Sequence, residues 1–347
     1  MSILQMVEKL EESSESQMDL CPDLDANLVD YNERMLTLAS NQSAAQILAD
    51  AVAVRLPKWV LRAATGLPTE TFNIIRTAKS LTNQLGEKIV REKMDVARQG
   101  LAVETDTFDM LLDLGSSERR KNILTFEEVA AQTGILLIGG QDTTSNTLAF
   151  GLLELARHPE FQEQLRAQIH ASRATVSSAI SYDTMPLLNA FVKETLRVYP
   201  VGPIQERIAT QDMVIPLADE ITTTAGERIN QITVLDYDST NRFCRLASRW
   251  GKDALEFRPS RWLDGTISQG QAVGPYANLL TFLGGPRVCL GWRFAILEMQ
   301  VFFAELAGKF AFTLPEEGDP IHMRFSGSLM PVLPTDKKSA PLCVTPI

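Results

Sequence analysis

The sequence predicts a mainly helical protein with a minor β-sheet, organised as a single domain over residues 1–347. Three observations carry that prediction: a long amphipathic stretch at 70–100, a longer helical stretch from Thr125 to His158-Pro159, and strand-like pieces that are few and short. From Glu70 to Gly100, apolar residues recur at Ile74, Ala78, Leu81, Leu85, Ile89 and Val96, one face of a helix, with charges opposite and Gly100 as a C-terminal stop. Thr125-Phe-Glu-Glu128 has capping-box spacing and opens the longer helix, which carries Gly139-Gly140 in its middle. Shorter helices follow at roughly 160–171, 186–198 and 291–308. Strands are expected at Met213–Ile215, Glu220–Thr224, Phe310–Leu314 and the C-terminal end. No repeat or low-complexity linker interrupts the pattern.

A chain with 45% apolar residues has enough material for a large core, and its net charge of -10 argues against nucleic acid as a partner, since phosphate binding needs a basic face. The four cysteines, Cys21, Cys244, Cys289 and Cys343, form no Cys-x-x-Cys pair, which points away from a disulfide scaffold and towards a reducing compartment. None of the three histidines, His158, His170 and His322, stands at metal-ligand spacing to another. Any metal therefore sits on sulfur or inside a cofactor. No stretch reads as a secretory signal or a membrane-spanning helix. The segment 55–62, Arg-Leu-Pro-Lys-Trp-Val-Leu-Arg, joins three basic residues to Leu and Trp, a composition suited to peripheral contact with an anionic membrane surface or, alternatively, to a lid over a pocket.

Residues 282–291 read Phe-Leu-Gly-Gly-Pro-Arg-Val-Cys-Leu-Gly and run into an apolar helix. A metal-binding thiol must be deprotonated and held near backbone amides. Gly285 and Gly291 allow turns with positive φ and a close backbone approach, and the helix that follows places its positive end near Cys289. A lone cysteine in a glycine-rich loop is ordinarily a buried structural residue. Here Phe282, Gly285, Arg287, Cys289 and Gly291 fix five positions of one pattern, a coincidence expected in on the order of one chain in ten thousand. The glycine pair at 139–140 costs about 1 kcal/mol per residue in a helix interior, so something flat approaches there or the helix opens locally. Beside it, Asp142 and Thr143 pair a carboxylate with a hydroxyl, a combination able to pass protons; the alternative is a helix-packing glycine pair with Thr143 bonded to its own helix.

The cysteine segment and Gly139-Gly-Gln-Asp-Thr-Thr144 together resemble the cytochrome P-450 family, and among its members those of fungal microsomes. The resemblance implies a haem-thiolate monooxygenase with Cys289 as the axial ligand to iron. The thiolate pushes electron density onto the metal and favours O–O cleavage. It further implies Phe282, Gly285, Arg287, Gly291 and Arg207 as haem-binding residues, and Asp142 and Thr143 as the catalytic proton-delivery pair. Glu194-Thr-Leu-Arg197 matches a pattern that Glu163-Gln-Leu-Arg166 also matches. Only the former precedes Pro259-Ser-Arg-Trp262 and the cysteine loop in the family's order, so Glu194, Arg197 and Arg261 are expected to form a buried structural charge network. Leu136, Leu137, Val201 to Gln205 and the turn Ser326-Gly-Ser-Leu329 are expected to line a pocket for a lipophilic small-molecule substrate or to be ordinary core. Dioxygen and an electron-donating reductase are the other implied partners, and the cytosolic face of the endoplasmic reticulum membrane the implied location.

The sequence also departs from the family's pattern. The long helix begins already at 125, which predicts a chain lacking the membrane anchor, first sheet and first helices. There is no Trp-x-x-x-Arg motif; Trp59 is followed by Arg62, three residues on. Residues 235–248 begin Leu-Asp-Tyr-Asp-Ser-Thr-Asn-Arg-Phe-Cys where the family turns through Lys-Gly into an apolar strand. Both departures predict a loosely enclosed haem. The alternative to an active monooxygenase is a catalytically inactive truncated product or haem-binding remnant.

Overall fold

A computed structural model describes residues 16–19, 56–99, 125–175, 180–203, 212–223, 226–234, 247–265, 267, 273–316, 319–335 and 338–347. In chain order the elements are β1 (Ser16–Asp19), α1 (Lys58–Ala64), α2 (Glu70–Arg98), α3 (Phe126–Arg157), α4 (Pro159–Thr175), α5 (Pro186–Val198), β2 (Met213–Thr222), β3 (Arg228–Val234), α6 (Ala247–Trp250), α7 (Trp292–Lys309), β4 (Phe310–Thr313), β5 (His322–Ser326), β6 (Ser328–Val332) and β7 (Pro341–Pro346). The chain forms two compact units, one of residues 1–192 with 290–347, the other of residues 193–289. The fold is mainly helical with small sheets, as the periodicities predict.

In the first unit, α3 starts where the capping box requires. Thr125 Oγ1 accepts the Glu128 amide at 3.2 Å, and the Thr125 amide donates to Glu128 Oε2 at 2.8 Å. Its C-terminal half supplies the core residues Phe150, Leu152, Leu153 and Leu155. Gly151 lets α7 lie close: a Cβ there would stand 2.3 Å from the Phe303 ring. Phe303 meets Phe191 edge-on at 4.8 Å, and Phe191 stacks on Phe161 at 5.7 Å, so α3, α4, α5 and α7 share one apolar centre. Gln162 ties the small sheet to it. Its side-chain amide donates to Leu155 O and Phe312 O, and its oxygen accepts the Phe312 amide at 2.8 Å.

That sheet has the order β1-β7-β4, antiparallel, with β7 central. On α2 the buried stripe runs through Ile74, Thr82 and Val90, with Leu81, Leu85 and Ile89 half-buried; Val96, expected on this face, is exposed. The outer side of α2 carries the i, i+4 pairs Lys88–Glu92 and Arg91–Glu87. β5 and β6 form a hairpin that turns on Gly327 at φ +71°, so the segment read as a pocket-lining turn is a tight strand reversal.

In the second unit the two strand pieces read at 213–224 are one strand, β2, with a register shift between Pro216 and Ile221. Pro216 cannot donate to a ladder, and the shift absorbs that break. Its partner β3 escaped the sequence reading, because Asn230 and Gln231 interrupt its apolar pattern.

Candidate functional site

The cysteine segment belongs to the second unit and is anchored there on α5. Thr281 Oγ1 donates to Leu196 O at 2.8 Å, Leu279 and Phe282 are buried, and the Cys289 amide donates to Phe282 O at 2.8 Å. Between those points the chain makes one 3₁₀ turn, Gly285–Arg287, which Gly285 enters at φ +65°. Two glycines not singled out from sequence make the fold-back possible. A Cβ on Gly274 would lie 1.8 Å from Leu279 O, and one on Gly284 would lie 2.5 Å from Val273 O. Gly291, expected to need positive φ, instead sits at φ -88°, ψ 13° as the N-cap of α7. That conformation is open to other residues, so the turn alone does not explain glycine there.

Cys289 is a free, exposed thiol, and Arg287 is exposed beside it in the chain. Immediately after it, in the first unit, Leu290 is 96% exposed, Phe294 64% and Leu297 52%. An accessible thiol on a loop whose backbone is fixed is chemistry suited to a metal-bearing cofactor. Among the described residues no group of three or more His, Cys, Asp or Glu side chains is arranged to hold a metal ion. Arg207 lies outside the described residues, as do Arg55 of the basic segment, Gln205 of the expected pocket lining and residues 235–246.

The same helix α5 carries the charge cluster. Glu194 Oε2 accepts Arg197 Nε at 2.8 Å and Trp262 Nε1 at 2.8 Å. Its Oε1 accepts Arg197 Nη2 at 2.7 Å, Arg261 Nε at 2.9 Å and the Arg258 amide at 2.8 Å. The side chains of Glu194, Arg197 and Arg261 are 0%, 0% and 2% exposed. Spare guanidinium hydrogens go to backbone carbonyls, Arg197 to Ala254 O and Glu256 O, Arg261 to Asp253 O. Two cations around one acid are tolerated here because nearly every donor and acceptor is occupied. Trp262 and these carbonyls were not foreseen as partners.

In the first unit α3 runs unbroken through Gly139-Gly140, and a Cβ at either position would meet nothing within 4 Å. The space beside the pair is open, and the helix is not locally unwound. Thr143 is exposed and donates to Gly139 O at 2.7 Å. Asp142 faces β6: Ser328 Oγ donates to its Oδ2 at 2.9 Å, and Lys338 Nζ to its Oδ1 at 3.1 Å. Leu136 is half-buried, and Leu329 and Val201 are buried, so the expected lining residues divide between open and core positions. Glu298 on α7 is a further acid that the sequence reading passed over. Burial pushes its carboxyl above the usual range against an opposing hydrogen bond from Thr144, and its Oε2 has no hydrogen-bond partner among the described residues.

Fold and site thus describe a largely helical protein that presents an accessible cysteine on a glycine turn. The chain belongs to the cytochrome P-450 family: the model of that family, described as Cytochrome P-450, matches residues 5–338. It is 33% identical over 289 residues to cytochrome P-450 monooxygenase 81 of Postia placenta, covering 77% of this chain and 52% of that protein. It is 31% identical to a ganoderic acid synthetase of Ganoderma lucidum, covering 82% of this chain and 56% of the relative. The chain therefore spans about half the length of these curated relatives. Among solved structures, that of a cytochrome P-450 (CYP102L1) superposes with a TM-score of 0.64 at 18% identity, covering 99% of this chain and 72% of the other. A zebra fish cytochrome P-450 solved with abiraterone gives 0.61 at 21%, covering 99% and 76%. These structural likenesses bear on the fold. The cofactor that the family implies is haem, and the cysteine loop fits it.

Proposed function

We propose that this chain acts as one haem-thiolate domain of a monooxygenase that inserts one atom of dioxygen into an apolar organic substrate, with electrons supplied by a reductase. The observation that carries this reading is the accessible Cys289, placed on a loop whose backbone is fixed through Phe282 and α5. Haem, when bound, supplies the redox-active iron. Cys289 would hold it through sulfur, Gly285 gives the backbone its turn, and Arg287, together with Arg207, would meet its propionates. Glu194, Arg197 and Arg261 are structural: they clamp α5, from which the cysteine segment hangs. Thr143 Oγ1 and the Asp142 carboxylate would relay protons on α3, where the Gly139-Gly140 surface leaves room for a flat group. The non-catalytic alternative gains no support over this reading from the family match or the relatives.

The haem-loaded chain is expected to show the thiolate-type band of the reduced carbon monoxide adduct, and Thr143→Ala to keep it. Product formed per electron should fall in that variant by about 10²-fold, the lower end of what a positioned proton donor contributes. Unchanged coupling would reduce Thr143 to the packing role that its bond to Gly139 O already shows.

A second part of the proposal concerns location. Among the described residues no helix is long and apolar enough to cross a membrane. On α1, Trp59 is 71% exposed, with Leu56 and Arg62 exposed nearby. This surface fits peripheral contact with an anionic bilayer, as on the cytosolic face of the endoplasmic reticulum. In flotation with phosphatidylserine-containing liposomes, replacing Leu56 and Trp59 by Ser should release the protein; equal binding by the variant rules this contact out.

A further inference from the structure

We propose that Lys338 and Ser328 are positioning residues for Asp142, which tie the orientation of its carboxylate to the β5–β6 hairpin. The inference rests on the monooxygenase reading, in which Asp142 relays protons beside Thr143. Both carboxylate oxygens are held from outside α3: Oδ2 by the Ser328 hydroxyl at 2.9 Å, Oδ1 by the Lys338 ammonium at 3.1 Å. The Ser328 oxygen also accepts Asn146 Nδ2 at 3.0 Å, four residues along α3 from Asp142, so one serine bridges two successive turns of the helix. Asn146 and Ser328 are buried.

Lys338 is itself placed by the backbone. It bridges to Val332 at the end of β6, and the next residue, Ser339, donates its amide to Pro331 O. The Lys338 and Asp142 side chains are 19% and 14% exposed, so solvent screens the pair far less than it would a surface ion pair. Each carboxylate oxygen keeps a second lone pair, so the clamp leaves Asp142 able to accept another proton donor while fixing where it points. Thr143, by contrast, donates within its own helix, and among the described residues no bond ties its hydroxyl to the hairpin. The acid is thus referenced to the hairpin and the hydroxyl to α3. A displacement of the hairpin would change the distance between them.

The test uses the full chain loaded with haem, an NADPH-dependent reductase and 7-ethoxycoumarin as an apolar probe. Lys338→Met should leave the reduced carbon monoxide spectrum intact and lower product per electron about tenfold, with Lys338→Arg restoring it to within about twofold. A Lys338→Met protein that couples like the wild type overturns the inference and leaves the monooxygenase reading standing. If the loaded wild type lacks the thiolate-type spectrum, it is the monooxygenase reading that fails. A double-mutant cycle of Asp142→Asn and Lys338→Met, read from thermal melting of the haem-free chain, decides the pairing in either case: additive effects overturn it. Ser328→Ala, a smaller change, provides the same reading should Lys338→Met not fold.

Discussion

Cys289→Ser is expected to abolish the red-shifted Soret band of the reduced carbon monoxide adduct and all turnover. A serine hydroxyl does not ionise near neutral pH, so it cannot replace a thiolate that pushes electron density onto iron. The substitution is nearly isosteric, and the loop does not depend on the sulfur. The Cys289 amide bond to Phe282 O, the Gly285 turn and the Thr281–Leu196 link all belong to the backbone or to other side chains. Melting of the haem-free chain should therefore barely change, and the effect should be confined to the spectrum and activity. A variant that retains the band would move the ligand to Cys21, Cys244 or Cys343, the other cysteines of the chain.

Glu194→Ala is expected to have the largest effect on folding. Removing this acid leaves two guanidiniums that are 0% and 2% exposed facing each other without their shared anion. It also orphans the Trp262 indole and the Arg258 amide. Breaking a buried ion pair by removing one partner costs about 3–5 kcal/mol, a large part of a net stability of about 5–15 kcal/mol. Urea unfolding of the haem-free chain measures this directly. A loss below about 1 kcal/mol would show that the cluster is wetter or looser than its hydrogen bonds indicate. Because Thr281 hangs on Leu196, between Glu194 and Arg197, the same variant should also bind haem more weakly.

What the sequence could show of this molecule follows from how local each signal is. The capping box at Thr125, the apolar period of α2 and the cysteine spacing all lie within a few turns of chain, and each reads directly from the letters. Strand β3 did not, because an exposed two-stranded hairpin bearing Asn230 and Gln231 has no buried face to impose alternation. The partners of Asp142 stand 186 and 196 residues away, beyond any local pattern. The carbonyls that complete the Glu194 cluster, Ala254 O and Glu256 O, are backbone atoms, which every residue type carries alike.

Four glycines in or beside the two candidate segments form two pairs that selection would treat differently. At Gly274 and Gly284 a neighbouring carbonyl already occupies the place of a side chain. Any replacement there disrupts folding, so these positions would stay glycine in a variant library sorted for abundance alone. At Gly139 and Gly140 a side chain would meet nothing within 4 Å, and the helix would gain from alanine. Such a library should drift away from glycine at 139 and 140, and only sorting for bound haem or product would bring it back. The gap between the two sortings, position by position, separates the residues that shape the polypeptide from those reserved for what it carries.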